Sequence, residues 1–132
     1  MGAAREVAAV YTLDTNAVIY YLKGEFASAS AAREVFEGDA PVYVSVITQL
    51  ELLSFPSLTD AEASRIEELL ATIALIPVDS QIARLAAGVR RAYRIGVSDS
   101  VIAATALFTG STLLTRNVRD FMKVKGLSVR RM

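Results

Sequence analysis

The sequence predicts an α/β fold: a three-layer α/β/α sandwich around a central parallel sheet of four to five strands. Three observations predict it. Short apolar, partly β-branched runs recur along the chain. Segments of helical period with recognisable caps separate them, and strand–helix alternation is the signature of parallel pairing. Finally, 132 residues that are 53% hydrophobic and 21% charged suffice for one core and exclude a disordered chain. The expected organisation is a single domain over residues 1–132, with no linker or low-complexity tract.

The elements follow in order. Val7 to Leu13 reads as a buried strand that stops at Asp14. Asn16 to Leu22 reads as a helix ending near Gly24. Ser28 is the expected cap of a second helix, Ala29 to Phe36, stopped by Gly38. Pro41 to Val44 is a second strand, and Ser45 caps a third helix, Val46 to Phe55, ended by Pro56. Thr59 and Glu62 have the spacing of a capping box for a fourth helix reaching about Thr72. Leu75 to Val78 is a third strand. Asp79 caps a fifth helix with Ile82, Leu85, Ala86, Val89 and Tyr93 on one face, broken by Gly96. Ser98 is the expected cap of a sixth helix, Asp99 to Phe108, ended by Gly110. Thr112 to Thr115 and Leu127 to Arg130 complete the strands.

Composition removes whole classes of chemistry. The chain has no cysteine and no histidine. Thiol nucleophiles, sulfur- or imidazole-ligated zinc, and the Ser-His-Asp and Cys-His triads are therefore excluded. Catalysis would have to use carboxylates, hydroxyls, Lys or Arg, with or without a hard metal. The formal charge is zero, yet the charges are segregated. Residues 1–83 hold four basic and twelve acidic side chains, and residues 84–132 hold ten basic ones beside only Asp99 and Asp120. A basic half points to an anionic partner such as nucleic acid. Val101 to Thr115, the longest uncharged run, is too short to span a bilayer, and the N-terminus lacks a signal-peptide pattern. A cytoplasmic protein without membrane association is expected.

Four acids stand apart from the solvated helix faces. Asp14 ends the first strand, where an open α/β sheet places ligand-binding side chains, although a helix cap is an equally ordinary role. Glu51 lies one turn after Ile47 and borders the packed side of its helix; an edge glutamate reaching water is the bland reading. Asp99 opens an unusually smooth helix containing Ile102, Ala103, Ala104 and Ala106, and first-turn acids are also favoured by the helix dipole. Asp120 follows the fourth strand, with Thr115 and Asn117 close by, and Arg116 and Arg119 flank it. If these acids converge, their mutual repulsion requires a cation. All-oxygen ligation selects Mg²⁺ or Mn²⁺. Such a site activates water against phosphorus and needs no histidine.

The order of LDTN at Asp14, ITQLELLS at Glu51, SDSVIAATAL at Asp99 and LLTRNVRDF near the C-terminus resembles the PIN domain, and in particular the VapC-like toxins of prokaryotic toxin–antitoxin pairs. The resemblance implies a PIN-like sandwich and an Mg²⁺- or Mn²⁺-dependent ribonuclease, with one or two ions. It implies Asp14, Glu51 and Asp99 as metal-binding and catalytic acids. The family often carries a fourth acid where this chain has Asn117, a neutral oxygen donor, which leaves room for Asp120 to take its place. Asn16 and Thr115 would be polar supports. The resemblance further implies an RNA substrate, a homodimer and a cognate antitoxin. A mean hydropathy of +0.39 agrees with partly covered apolar surface, for which Leu52, Leu53, Phe55 and Leu58 are candidates. Arg91, Arg94, Arg116 and Arg119 are candidates for holding RNA phosphates.

Other phosphoryl-transfer folds fit less well. A haloacid-dehalogenase-like site wants Asp-x-Asp at the first strand, and here the residues are Asp14, Thr15 and Asn16. A receiver domain wants an acidic neighbour and a late lysine, and the fourth strand ends in Thr115 and Arg116. An inactive PIN-like module that binds RNA or a protein is the alternative from another functional class.

Overall fold

The structure, a computed structural model, describes residues 9–24 and 26–132, without the side chains of 26–30. The elements run β1 (Tyr11–Leu13), α1 (Thr15–Lys23), α2 (Phe26–Glu37), β2 (Val42–Ser45), α3 (Val46–Leu53), α4 (Asp60–Leu70), β3 (Ala74–Ile76), α5 (Ser80–Tyr93), α6 (Val97–Thr109), β4 (Thr112–Thr115), α7 (Val118–Phe121) and β5 (Ser128–Arg131). The five strands form one parallel sheet in the order β3-β2-β1-β4-β5. The chain winds outward from β1 to β3, then crosses over to the other side for β4 and β5. That reversal places a topological switch point between β1 and β4.

Alternation along the strands separates two cores. Leu13 and Leu114, paired in register, join Val42 and Val44 against α1, α2, α3 and α4 on one face. Leu113 and Val129 pack on the opposite face with residues of α5, α6 and α7. Helix α6 is buried without interruption from Ser100 to Ala106. Its alanines let it lie between the sheet and α5, where Ala104 and Val101 meet Ile82 and Ala86. A helix buried all round reads as apolar all round, which is why it carries no amphipathic stripe. Thr12 also faces this layer and satisfies its hydroxyl on Ser111 at 2.6 Å.

Most predicted boundaries agree within one or two residues, and the departures have physical causes. Val7 and Ala8 of the first predicted strand lie outside the described residues. Asp14 caps α1, which therefore begins at Thr15. Helix α2 begins at Phe26, so Ser28 lies within it and is not its cap. Helix α3 ends at Leu53, two residues early, and leaves Phe55 half exposed. Strand β3 stops before Pro77, which has no N–H for the ladder. Gly96, and not Ser98, is the N-cap of α6; the Ser100 hydroxyl instead returns to the Gly96 carbonyl at 2.7 Å. The Thr59–Glu62 capping box, the Ser45 cap and the Asp79 cap all form. Gly24 and Gly110 end their helices in the left-handed region, at φ 67° and 64°. The turn expected after β4 contains the short helix α7.

Candidate active site at the carboxyl edge of the sheet

Asp14 follows the last residue of β1, and its backbone N–H still bonds the Leu114 carbonyl of β4 at 3.2 Å. It is therefore held at the switch point by both central strands. Its side chain is only 5% exposed. Oδ1 accepts from the Ala17 N–H at 2.9 Å, and Oδ2 accepts from the Thr115 hydroxyl at the end of β4. The Thr115 hydroxyl in turn accepts from the Asn117 N–H at 2.9 Å. Capping α1 contributes about 1 kcal/mol, which Ser or Asn would also provide. Burying a carboxylate costs several kcal/mol. The cap alone does not account for an aspartate here.

Glu51 comes from α3 and meets α1 side on. Thr15 donates to Glu51 Oε1 at 2.6 Å and lies 3.0 Å from the Thr48 hydroxyl, one turn before Glu51. This contact fixes one carboxylate oxygen. Asp99 stands in the first turn of α6, partly buried. Asp14, Thr15, Asn16, Glu51 and Asp99 line one cleft of about 590 Å³, together with Ile19, Leu50, Phe55 and Ile102. Three acids that are distant in sequence thus share one depression.

The electrostatics agree. Burial pushes the Asp14 carboxyl above the ordinary aspartate value; the hydrogen bonds from Thr115, Ala17 and Asn16 oppose the rise, and the charge of Glu51 adds to it. Asp99 is raised first by burial and then by Asp14, Glu51 and Asp120. Its field therefore contains all the other candidate acids. Asp120 moves the opposite way, lowered by the bond from Asn117 and by Lys123 and Arg119. Among the described residues, none of Asp14, Glu51 and Asp99 forms an ion pair with Lys or Arg.

The donor set is all oxygen, which suits a hard divalent cation. Among the described residues, no three acidic side chains gather closely enough to ligate one ion together. Mg²⁺ is commonly held by one or two carboxylates and keeps several waters, so this spacing fits an ion bound partly through water.

The remaining candidates are more peripheral. Asn117 donates from Nδ2 to Asp120 Oδ2 at 3.1 Å, and Lys123 lies 3.6 Å from Asp120 Oδ1. Neither Asn117 nor Asp120 lines the cleft. Arg116 and Arg119 are exposed beyond β4, and Arg91 and Arg94 are exposed at the end of α5; none of the four lines the cleft. Thr15, Thr48 and Tyr20 were not expected from the sequence. The Thr48–Glu51 spacing of three on a helix was a legible signal. The Tyr20 contact, described below, was not.

A model of the PIN domain matches residues 11–127. The chain belongs to the PIN domain family. Two curated members from Mycobacterium tuberculosis are similar over most of their length. Ribonuclease VapC19 is 31% identical over 114 residues, covering 83% of this chain and 90% of that protein. Ribonuclease VapC10 is 33% identical over 117 residues, covering 83% and 84%. The PIN fold also recurs in solved structures. VapBC-1 from nontypeable Haemophilus influenzae superposes with a TM-score of 0.75 at 26% identity, over 92% of this chain and 97% of that one. VapBC2 from Rickettsia felis, bound to a promoter DNA fragment, shares the fold with a TM-score of 0.79 at 21% identity, over 93% and 98%. The five-stranded parallel sheet and its flanking helices are therefore those of a PIN domain.

Proposed function

We propose that this PIN domain is an endoribonuclease, the toxin of a toxin–antitoxin pair, that hydrolyses RNA phosphodiester bonds with Mg²⁺ or Mn²⁺. The observation that carries the proposal is the convergence of Asp14, Glu51 and Asp99 on one cleft without a cationic partner among the described residues. The names of the similar ribonucleases supply the substrate class.

The roles follow from the contacts. Asp14 and Asp99 hold the ion, which supplies Lewis acidity to water and offsets charge at phosphorus. Thr115 favours the anionic form of the buried Asp14 by donating to Oδ2, against the rise that burial imposes. Thr15 engages one oxygen of Glu51, so the other is left to orient the attacking water or to join the ion's shell. Asn117 uses its amide N–H on Asp120, which leaves its carbonyl oxygen as a neutral donor, and Asp120 acts from the periphery. Arg91, Arg94, Arg116 and Arg119 hold RNA phosphates.

An antitoxin protein and a homodimer complete the reading, in a cytoplasmic setting. Support comes from the VapBC complexes that share the fold and from the exposed Leu50, Phe55, Val97, Phe108 and Met122. A second apolar groove of about 270 Å³ runs between α1, α3 and α4, lined by Ile19, Leu22, Phe55 and Leu58. Leu52 of the expected surface set belongs instead to the core, at 1% exposure. Among the described residues no helix is long and apolar enough to cross a membrane.

The test is cleavage of tRNA and single-stranded RNA by the purified chain in Mg²⁺, Mn²⁺ or EDTA, beside Asp99→Asn. Cleavage that needs the cation and disappears in the variant supports the reading. Asn117 in place of the family's frequent fourth acid favours one alternative, a PIN module that binds RNA without cutting it. That alternative predicts metal-independent binding, unchanged in Asp99→Asn, and no cleavage.

A further inference from the structure

Arg116 adjoins the site through the chain itself. It follows Thr115, whose hydroxyl holds Asp14, and precedes Asn117, whose N–H holds Thr115. Its guanidinium does not extend freely into solvent. Nη1 donates to the Tyr20 hydroxyl at 2.6 Å, and Cζ lies 4.8 Å from the centroid of the Tyr20 ring. Tyr20 is one turn after Asn16 on α1 and adjacent to Ile19, both of which line the cleft. The Arg–Tyr pair therefore stands on the rim beside the acids.

Two features make this more than a surface contact. Arg116 has no ion-pair partner among the described residues, although it lies one residue beyond Thr115, the partner of Asp14. Four of its five N–H donors remain for an incoming acceptor. The Tyr20 oxygen acts as acceptor toward Arg116, which leaves its own O–H to donate outward. The ring contact and the hydrogen bond together hold a side chain that otherwise has many rotamers to lose. An arginine already ordered in this way meets a phosphate with less of that loss.

We propose that Tyr20 and Arg116 form a phosphate-binding pair for the RNA backbone on the rim of the cleft, with Tyr20 as the positioning residue for Arg116. This rests on the ribonuclease reading above. The pair sets how the strand lies across the acids and does not take part in bond breaking.

The experiment measures binding of a fluorescent single-stranded RNA in EDTA across a range of salt, and kcat and KM for the same RNA in Mn²⁺. Wild type is compared with Tyr20→Phe, Arg116→Ala and the double variant. Arg116→Ala is expected to weaken binding roughly tenfold and to lower the salt slope by about 0.7, the value for one phosphate contact on a single strand. KM should rise with kcat nearly unchanged. Tyr20→Phe keeps the ring and should lose part of the affinity with the slope intact. The double variant should bind no worse than Arg116→Ala alone, because Tyr20 acts through Arg116. An Arg116→Ala variant with wild-type affinity and slope overturns the pair, as do losses that simply add. Cleavage by the wild type with unaltered KM in Arg116→Ala overturns this inference alone. A wild type that neither binds nor cleaves RNA overturns the ribonuclease reading as well.

Discussion

Thr115 donates its hydroxyl to the buried carboxylate of Asp14 across 101 positions of sequence, from the end of β4 to the end of β1. The contact joins the two strands at the switch point, and it opposes the rise that burial imposes on Asp14. Thr115→Val keeps the shape and removes the donor. Asp14 should then protonate more readily, and the acid limb of the pH–rate profile should move to higher pH. An unmoved limb would show that Thr115 does not control the charge of Asp14.

Thr15 donates its hydroxyl to Glu51 Oε1 at 2.6 Å and so orients that carboxylate. Thr15→Val should lower kcat by about 10- to 100-fold, the usual effect of losing a group that orients a metal-associated carboxylate. The melting temperature should change little, since Thr15 is only partly buried and the β-branched shape is kept. A large loss of stability with normal residual activity would contradict this.

Asp14 and Asp99 both have raised values in the folded chain. The folded state therefore binds these protons more tightly than the unfolded state does. In EDTA, stability should rise as pH falls through the folded-state values and decline again as pH increases through them. Mn²⁺ or Mg²⁺ should offset that decline, adding about 2.7 kcal/mol at a hundredfold excess over Kd. The shift in melting temperature on adding the ion should thus be greater at pH 7.5 than at pH 5. Asp99→Asn should raise the melting temperature in EDTA at neutral pH and reduce the response to metal. Equal metal shifts at both pH values would count against carboxylate ligation.

Arg94 ends α5 at φ 55°, the one described non-glycine residue in the left-handed region. Arg94→Gly should stabilise the chain by roughly 1 kcal/mol in thermal or urea unfolding. The same change should weaken RNA binding if Arg94 contacts phosphate. Stabilisation without that loss would confine Arg94 to a structural role.

Ala104 is fully buried where α6 meets α5. Ala104→Leu should cost about 1–3 kcal/mol by overpacking. Because α6 carries Asp99 in its first turn, metal affinity should fall with it. A variant with native stability would mean that the α5–α6 contact is looser than described.

Much of this arrangement was legible in the sequence because it rests on local physics. Asp14, Ser45, Thr59 and Asp79 cap helices through bonds to residues two or three positions ahead. Gly24 and Gly110 end helices within one turn. The amphipathic stripe of α5 and the wholly apolar α6 follow from period and composition alone. Asp14, Glu51 and Asp99 stood out because their positions conflict with ordinary surface placement. Local signals also misled: Ser98 has the chemistry of a cap, yet the chain enters α6 two residues too early for it, and Gly96 occupies that place.

Tertiary structure decided the rest. The sheet order β3-β2-β1-β4-β5 brings the end of β4 beside the end of β1, and no local pattern encodes which strands become neighbours. From that order follow Thr115 on Asp14, Thr15 on Glu51 and Arg116 on Tyr20, over separations of 101, 36 and 96 residues. Propensity and capping act within about one helical turn, whereas these contacts exist only after the strands have paired in register and the helices have packed. The sequence by itself determined which acids are available and on which elements they sit; the packed fold determined their burial, their partners and the cleft they share.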